Sequence, residues 1–392
     1  MAEILLVHNH YQQKGGEDVV FSSERDLLIR AGHDVVTYER HNDEISNYSA
    51  LQKIKFSFQT IRGGDSLREL DQLLGSQRPK IVHFHNTFPL ISPAAYEVCK
   101  NHGAAVIQTL HNFRLFCPAA TFFRNNAPCE LCLNKSFAWP GVLHACYHNS
   151  RVQTSIISSM LAYHRIIRTW QKHVDGYIAL SNFPRQKFIE GGLPPKKISV
   201  KPNFVYPDPG RGSGDGSYAL AIGRLSPEKG FGTLLKAWEF LPSIPLKILG
   251  DGPLFSLFQE KIIENRLNNI ELLGWQSPET VRALLKGASF LIFPSIWFEN
   301  FPMTILEAYA CGDPVIATQI GALKDIIVQG ETGLFFEQRN EKDLAEKVDW
   351  AWNHPSEMFK MGTLARREYE SRYTAEKNYN LLMDIYEKAH GC

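Results

Sequence analysis

The sequence predicts an α/β protein built from two doubly wound, parallel-sheet domains. Three observations carry that expectation. Short apolar runs alternate with helical segments along the chain, which is the pattern of a parallel sheet with crossover helices. A stretch dense in Gly, Pro and Ser, residues 206–217, divides the chain near its middle. Residues 288–318 read as strand, loop, helix and strand in succession. The length of 392 residues also favours two or three domains over one. A hydrophobic content of 44% with 21% charged residues is ordinary for a water-soluble globular protein. No apolar run reaches the roughly 18 residues a spanning helix needs. The N-terminus enters a strand at once, with no basic leader, so a cytosolic protein without a signal peptide is expected.

The first strand is expected at residues 3–8. The loop after it carries Gly15-Gly16, which permits a sharp turn or a close approach to a ligand, and Glu17 or Asp18 can open a helix running to about Arg30. Neither a G-x-G-x-x-G nor a P-loop pattern occurs, which removes support from dinucleotide and Walker-type sites. Further strands are expected at 34–38, 80–84, 105–109, 176–180 and 198–201, with helical periodicity clearest at 151–173 and 182–190. The segment 51–62 mixes Lys53, Lys55 and Arg62 with Phe56, Phe58 and Ile61. It fits either a membrane-surface helix or an ordinary surface helix burying one side. His111 follows the 105–109 strand and so falls at the C-terminal edge of the first sheet, where open α/β sheets bind ligands.

Cys117, Cys129, Cys132 and Cys146 fall within 30 residues as C-x11-C-x2-C-x13-C. In a cytosolic chain that set fits a tetrahedral structural zinc, with His144 or His148 able to replace a ligand. Buried free thiols and redox chemistry are the other readings. A zinc there would stiffen an insertion at 117–146 and take no part in chemistry.

The second domain opens with a strand ending at a glycine. A turn follows carrying Arg224, and Lys229 then opens a helix. Two cations in a strand-to-helix loop suit a diphosphate that leaves with negative charge; a surface ion-pair partner is the plain alternative. Strands at 245–249 and 270–273 lead to loops containing Gly250 and Trp275 at the same sheet edge. Ser289–Phe293 is then a buried strand, Pro302 takes the first helical position, Thr304–Ala310 is a helix, Gly312 ends it, and Pro314–Thr318 is the next strand. Glu299 and Glu307 bracket the helix start about 12 Å apart along the chain. That is too far for an acid/base pair, which needs roughly 5–10 Å. It suits the two ends of an elongated ligand whose phosphates lie over the helix N-terminus, or two solvated carboxylates.

The run 288–318, the Gly-Arg-Leu-x-x-Glu-Lys-Gly stretch at 223–230 and Gly15-Gly16-Glu17 resemble the signatures of the family-4 retaining glycosyltransferases, which have the GT-B fold: two Rossmann-like domains facing a central cleft. The resemblance covers nearly the whole chain and is strongest over 218–336. It implies an N-terminal acceptor domain (1–205), a C-terminal nucleotide-sugar domain (206–372) and a last helix (373–392) crossing back to the first domain, with Asn203 in the hinge sequence and closure around that hinge. It places Glu299 against the donor sugar. Asn300, Phe301 and Pro302 would lie along the sugar and diphosphate, Thr304 near the phosphates, Glu307 on the ribose hydroxyls and Trp275 near the base. Arg224 and Lys229 would grip the pyrophosphate, Gly15 and Gly16 would reach the phosphates, and His111 would contact the sugar at the reaction centre. Asn300 stands where the family usually has a small residue.

The implied activity is retaining transfer of a hexose from a nucleotide-diphospho-sugar, UDP-glucose or a similar UDP-hexose by family frequency, to a saccharide or lipid-linked saccharide in polysaccharide synthesis. No cofactor is implied beyond the donor. With no Asp-x-Asp motif, a divalent metal on the diphosphate is not expected. A GT-B nucleotide-sugar 2-epimerase and a non-catalytic nucleotide-sugar-binding protein are the alternatives. No nucleic-acid partner is expected. Residues 1–205 hold 23 Lys and Arg against 16 Asp and Glu, while 206–392 hold 19 against 25. The basic half suits an acidic acceptor or a peripheral contact with the inner face of the plasma membrane. Uneven surface charge without a role is the other reading.

Overall fold

A computed structural model of the chain describes residues 3–12, 15–46, 56–57, 59–213 and 217–391. Residues 51–55 and 58 of the segment expected as a basic helix lie outside the described residues. The chain forms two compact units. One comprises residues 1–122, 129–202 and 378–392, and the other 203–377 together with 123–128.

The first unit contains a six-stranded sheet. Its strands are β1 (Ile4–His10), β2 (Val35–His41), β3 (Ile81–Phe84), β4 (Ala105–Thr109), β7 (Gly176–Ala179) and β8 (Ile198–Val200), in the spatial order β2-β1-β3-β4-β7-β8. Every pairing is parallel. Two short strands, β5 (Phe123–Arg124) and β6 (Ala127–Pro128), pair antiparallel within the cysteine-bearing insertion. Apolar residues of β1, β3 and β4 are buried on both faces, as a parallel sheet covered by helices demands. Ile4, Leu6, Ile81 and Ile107 pack with Phe21 and Leu28 of the helix Gly16–Arg30. Leu382, Ile385, Tyr386 and Ala389 of the terminal helix Ala375–His390 join the same core. Each such Leu or Ile fully buried contributes about 1.5–3 kcal/mol. The helical run expected at 151–173 is two helices, Arg151–Ile166 and Thr169–His173, because Arg168 takes a left-handed conformation with φ 60°. The His164 ring bonds Thr169 Oγ1 at 2.9 Å across that break, a contact that periodicity does not register.

The second unit contains β9 (Ala219–Ile222), β10 (Leu246–Leu249), β11 (Ile270–Gly274), β12 (Phe290–Phe293), β13 (Val315–Thr318) and β14 (Gly333–Phe336), in the order β11-β10-β9-β12-β13-β14. All its pairings are parallel. Trp238 anchors its core with no exposed surface, and its indole N–H donates to the Ile244 carbonyl at 2.8 Å. The sheet order reverses between β9 and β12 here and between β1 and β3 in the first unit. Those two reversals are the points at which open α/β sheets hold ligands. No helix among the described residues is long and apolar enough to cross a membrane.

Candidate active site

In the second unit the switch point collects the charged residues. The strand β9 ends at Ile222, and the turn after it exposes Arg224 to solvent. The chain then makes a short 3-10 turn, Pro227–Lys229, and passes through Gly230 with φ 73°. A Cβ on Gly230 would lie 1.9 Å from the Pro294 carbonyl oxygen, so only glycine lets this loop close against the end of β12. That approach brings Lys229 to Glu299: Nζ donates to Oε1 at 2.6 Å. Ser295 Oγ donates to the same oxygen at 2.9 Å. Glu299 is 6% exposed, so its carboxylate depends on these two donors. The Lys229 ammonium also lies 5.3 Å from the centroid of Trp297.

The loop after β12 ends at Pro302, which sits at the N-cap with extended backbone rather than at the first helical position; the helix runs Met303–Cys311. The shift of one residue reflects ψ 120° at Pro302, which is outside the helical range. Gly312 closes the helix in the left-handed region with φ 83°. Phe301 is buried, and its carbonyl accepts from Asn203 Nδ2 at 3.2 Å. Asn300, Pro302 and Thr304 are half-buried around the helix start. Glu307 is half-buried, and burial pushes its carboxyl up to about 7, with the Arg282 charge acting in the opposite direction. Trp275, just beyond β11, is 73% exposed and offers a free ring face.

In the first unit the corresponding edge carries histidines. Gly15 is the N-cap of the helix Gly16–Arg30, one residue earlier than an acidic start predicts, and its amide donates to Asp18 Oδ2 at 2.7 Å. His111 follows β4, and its Nε2 lies 3.0 Å from His85 Nδ1. Burial and the neighbouring His85 hold the His111 ring well below the ordinary imidazole range, so it is neutral. His8 at the end of β1 bonds Asp18 Oδ1 at 2.8 Å, and burial lowers its ring to about 4. Glu17 is pushed up to about 7 by burial, against bonds from Tyr11 and Asn112. Asn112 Nδ2 donates to Glu17 Oε2 at 3.2 Å.

Sequence reasoning did not single out His8 and His85, which lie against Asp18 and His111 at this edge. A signal was present: His8-Asn-His10 and His83-Phe-His85 are alternating histidines at the ends of apolar strands, and period-two spacing puts each pair on one face.

None of the four cysteines is in a disulfide; Cys117 and Cys132 are buried and Cys129 and Cys146 partly exposed. Burial, then the neighbouring sulfurs of Cys117, Cys146 and Cys129, pushes the Cys132 thiol up to about 12. Among the described residues, the groups of three or more potential ligand atoms within 4.8 Å are His8–His10–Asp18 and Glu24–His83–His85. The four sulfurs are not among these groups.

Two doubly wound units, one bearing cations and bracketing carboxylates at its switch point, define a GT-B glycosyltransferase. A family profile described as "Glycosyltransferase Family 4" matches residues 15–208, and one described as "Glycosyl transferases group 1" matches residues 210–368. The chain belongs to the family-4 glycosyltransferases. The uncharacterized glycosyltransferase MJ1178 of Methanocaldococcus jannaschii is 33% identical over 175 residues, covering 45% of this chain and 49% of that protein. D-rhamnosyltransferase WbpZ of Pseudomonas aeruginosa is 31% identical over 160 residues, covering 40% and 42%. The chain thus spans about half the length of the curated relatives it matches. Anabaena Alr3699/HepE, solved in complex with UDP, superposes with a TM-score of 0.69 at 14% identity, over 98% of this chain and 99% of that one. Sucrose-phosphate synthase of Thermosynechococcus elongatus gives 0.72 at 16% identity, over 99% of each. At such identities the likeness carries the fold alone.

Proposed function

We propose that the protein is a retaining glycosyltransferase that moves a hexose from a UDP-hexose to a saccharide or lipid-linked saccharide hydroxyl in polysaccharide synthesis. The observation that carries the reading is the Lys229–Glu299 contact at the switch point of the second sheet, with exposed Arg224 beside it and the Met303–Cys311 helix starting next to it. In this reading the bond between the sugar's anomeric carbon and the β-phosphate oxygen breaks while the acceptor hydroxyl oxygen bonds to the same face. The hydroxyl proton passes to the departing phosphate. Arg224 and Lys229 offset the charge that builds on that phosphate, a role in which losing one preorganised group costs about 100–1,000-fold in rate. Lys229 also holds Glu299 in place for the sugar hydroxyls. Glu307 receives the ribose, Trp275 lies by the base, Gly15 and Gly16 give close backbone access to the phosphates, and His111 is assigned to the reacting sugar. With two cations in place, the diphosphate needs no divalent metal.

The test is a thermal-shift screen against UDP, GDP, ADP and their hexose conjugates, with and without Mg²⁺. A ligand at about 100 times its Kd stabilises by roughly 2.7 kcal/mol. Stabilisation by UDP compounds without Mg²⁺, lost in Arg224→Ala, supports the reading. Failure of every nucleotide to shift the melt at saturation overturns it.

A further inference from the structure

The end of the first strand carries a set of converging ligand atoms, separate from the cations and carboxylates of the second unit. His8 and His10 alternate along β1, so their side chains share one face of the sheet. His8 Nε2 lies 2.8 Å and His10 Nδ1 3.1 Å from the same oxygen, Asp18 Oδ1. All three atoms lie within 4.8 Å of one another. His8 and Asp18 are buried, whereas the His10 side chain keeps 20% of its surface exposed, which leaves a way in from solvent.

The groups behind these atoms are arranged as a metal's outer shell is. The other ring nitrogen of His10, Nε2, lies 2.7 Å from Glu39 Oε2 on the neighbouring strand β2. Asp18 Oδ2 accepts the Gly15 amide at 2.7 Å, which leaves Oδ1 for the two rings. The His8 ring stacks on Phe21 with centroids 4.7 Å apart, and His10 meets the same ring edge-on at 5.7 Å. Metal-bound histidines characteristically give their second nitrogen to a carboxylate, and metal-bound carboxylates are themselves hydrogen-bonded.

We propose that His8 Nε2, His10 Nδ1 and Asp18 Oδ1 bind a divalent transition-metal ion of the zinc class. Two imidazoles and one carboxylate are a donor set such ions take, and three protein ligands leave a position for water. Bonds of about 2.0–2.1 Å hold tetrahedral ligand atoms about 3.3 Å apart, so the two contacts to Asp18 need open by only roughly 0.2–0.5 Å. The ion ties the end of β1 to the first turn of the helix Gly16–Arg30 and so pins the Gly15-Gly16 turn. This site goes beyond the proposed transfer; it neither depends on it nor puts a metal on the diphosphate.

Two other arrangements compete. Protons alone can hold the cluster: each ring then donates to Asp18 Oδ1, and His10 also donates to Glu39, so both its nitrogens carry hydrogen. His8 Nδ1 has no partner in either case and so does not separate the two. The Glu24, His83 and His85 atoms could take a metal instead. There both His83 nitrogens are engaged, Nδ1 with Tyr386 Oη at 2.8 Å and Nε2 with Thr109 Oγ1 at 2.7 Å, and Lys201 already sets a positive charge on Glu24.

The experiment uses the full chain without a histidine tag, stripped by chelator, then titrated with Zn²⁺ by calorimetry and with Co²⁺ by absorption. The wild type should bind one more ion per chain than His10→Ala. Co²⁺ at the ion lost in that variant should show ligand-field bands without sulfur-to-cobalt charge transfer. That separates it from any metal on Cys117, Cys129, Cys132 and Cys146. Glu39→Gln, a change at a partly exposed side chain, should keep the ion but bind it about 10–100-fold more weakly, the usual cost of a lost outer-shell partner. Should His10→Ala not fold, Glu39→Gln decides. Equal stoichiometry in the wild type and His10→Ala, sulfur charge transfer on the ion that differs, or unchanged affinity in Glu39→Gln overturns the proposal. No donor is present in these titrations, so failure of the proposed transfer would leave their result standing.

Discussion

Glu307 offers the sharpest test of the donor site that needs no acceptor. Its carboxyl is raised from 4.5 to about 7 by burial, with the Arg282 charge acting in the opposite direction. The folded protein therefore binds the Glu307 proton more tightly than the unfolded chain does. Stability owed to this group is greatest below about pH 4.5 and is lost as pH rises through about 7. Two and a half pH units correspond to about 3 kcal/mol at pH 8. Glu307→Gln removes that cost, since a neutral amide occupies nearly the same volume. The variant should match the wild type near pH 4.5 and exceed it by about 2–3 kcal/mol at pH 8, allowing for screening. For a domain of this size that is roughly 2–4 °C of melting temperature per kcal/mol. Ribose hydroxyls donate to a carboxylate, so nucleotide binding should ionise Glu307. Calorimetry at pH 6 in buffers of different ionisation enthalpy should show close to one proton released, and the same variant should release none. A stability difference that does not change between pH 5 and 8 would refute the reasoning about burial. Pronounced proton release in the variant would refute the assignment to the ribose.

Arg224→Ala should leave the unliganded melt within about 0.5 kcal/mol, as for an exposed side chain away from packing, while removing nucleotide stabilisation; differential scanning fluorimetry reads both. Gly230→Ala should destabilise by more than about 3 kcal/mol in urea unfolding, because φ 73° strains alanine and its Cβ meets the Pro294 carbonyl oxygen at 1.9 Å. Lys229→Met leaves the Glu299 carboxylate short of its cation and should cost about 1–3 kcal/mol, with Glu299→Gln added to it recovering part of the loss; a double-mutant cycle measures the coupling.

Much of the second unit is legible in the sequence because its chemistry is local. Gly223 to Gly230 is one loop, and Ala288 to Thr318 is one strand–loop–helix–strand unit, so spacing alone brings Arg224, Lys229 and Glu299 to a single sheet edge. The strands β9 to β13 fall within a residue or so of their expected places for the same reason. The first unit yields less. Lys201 and Glu24 are 177 positions apart, His83 and Tyr386 are 303 apart, and nothing in local composition pairs them. A buried lysine looks like any other lysine in a sequence, so a charge tally cannot set Lys201 apart. The cysteine spacing is the opposite case. Local C-x2-C spacing suggests a metal, whereas the ligand geometry depends on how the loop carrying β5 and β6 folds.

The fate of that lysine bears on what the acceptor is. The basic surplus of the N-terminal half suggested an acidic acceptor, but many of its cations are committed internally. Lys201 neutralises Glu24, and Lys197 donates to the Gln171 and Val174 carbonyls at 3.0 and 2.6 Å. Lys187 pairs with Glu130 and Glu190, and Lys100 with Asp175. Arg114, beside the ligand edge, lies over the Phe88 ring at 4.2 Å and donates to the Pro118 carbonyl. At the edge itself lie Asn112, Tyr11, a Glu17 carboxyl pushed up to about 7, and an Asp18 carboxylate already engaged by His8 and the Gly15 amide. Such groups recognise hydroxyls through directional hydrogen bonds and gain little from an anion. If the acceptor is bound at this edge, its KM should change less than about threefold between low and high salt, because screening acts on charge pairs. A KM that climbs steeply with ionic strength would instead place the acceptor on a cationic surface elsewhere.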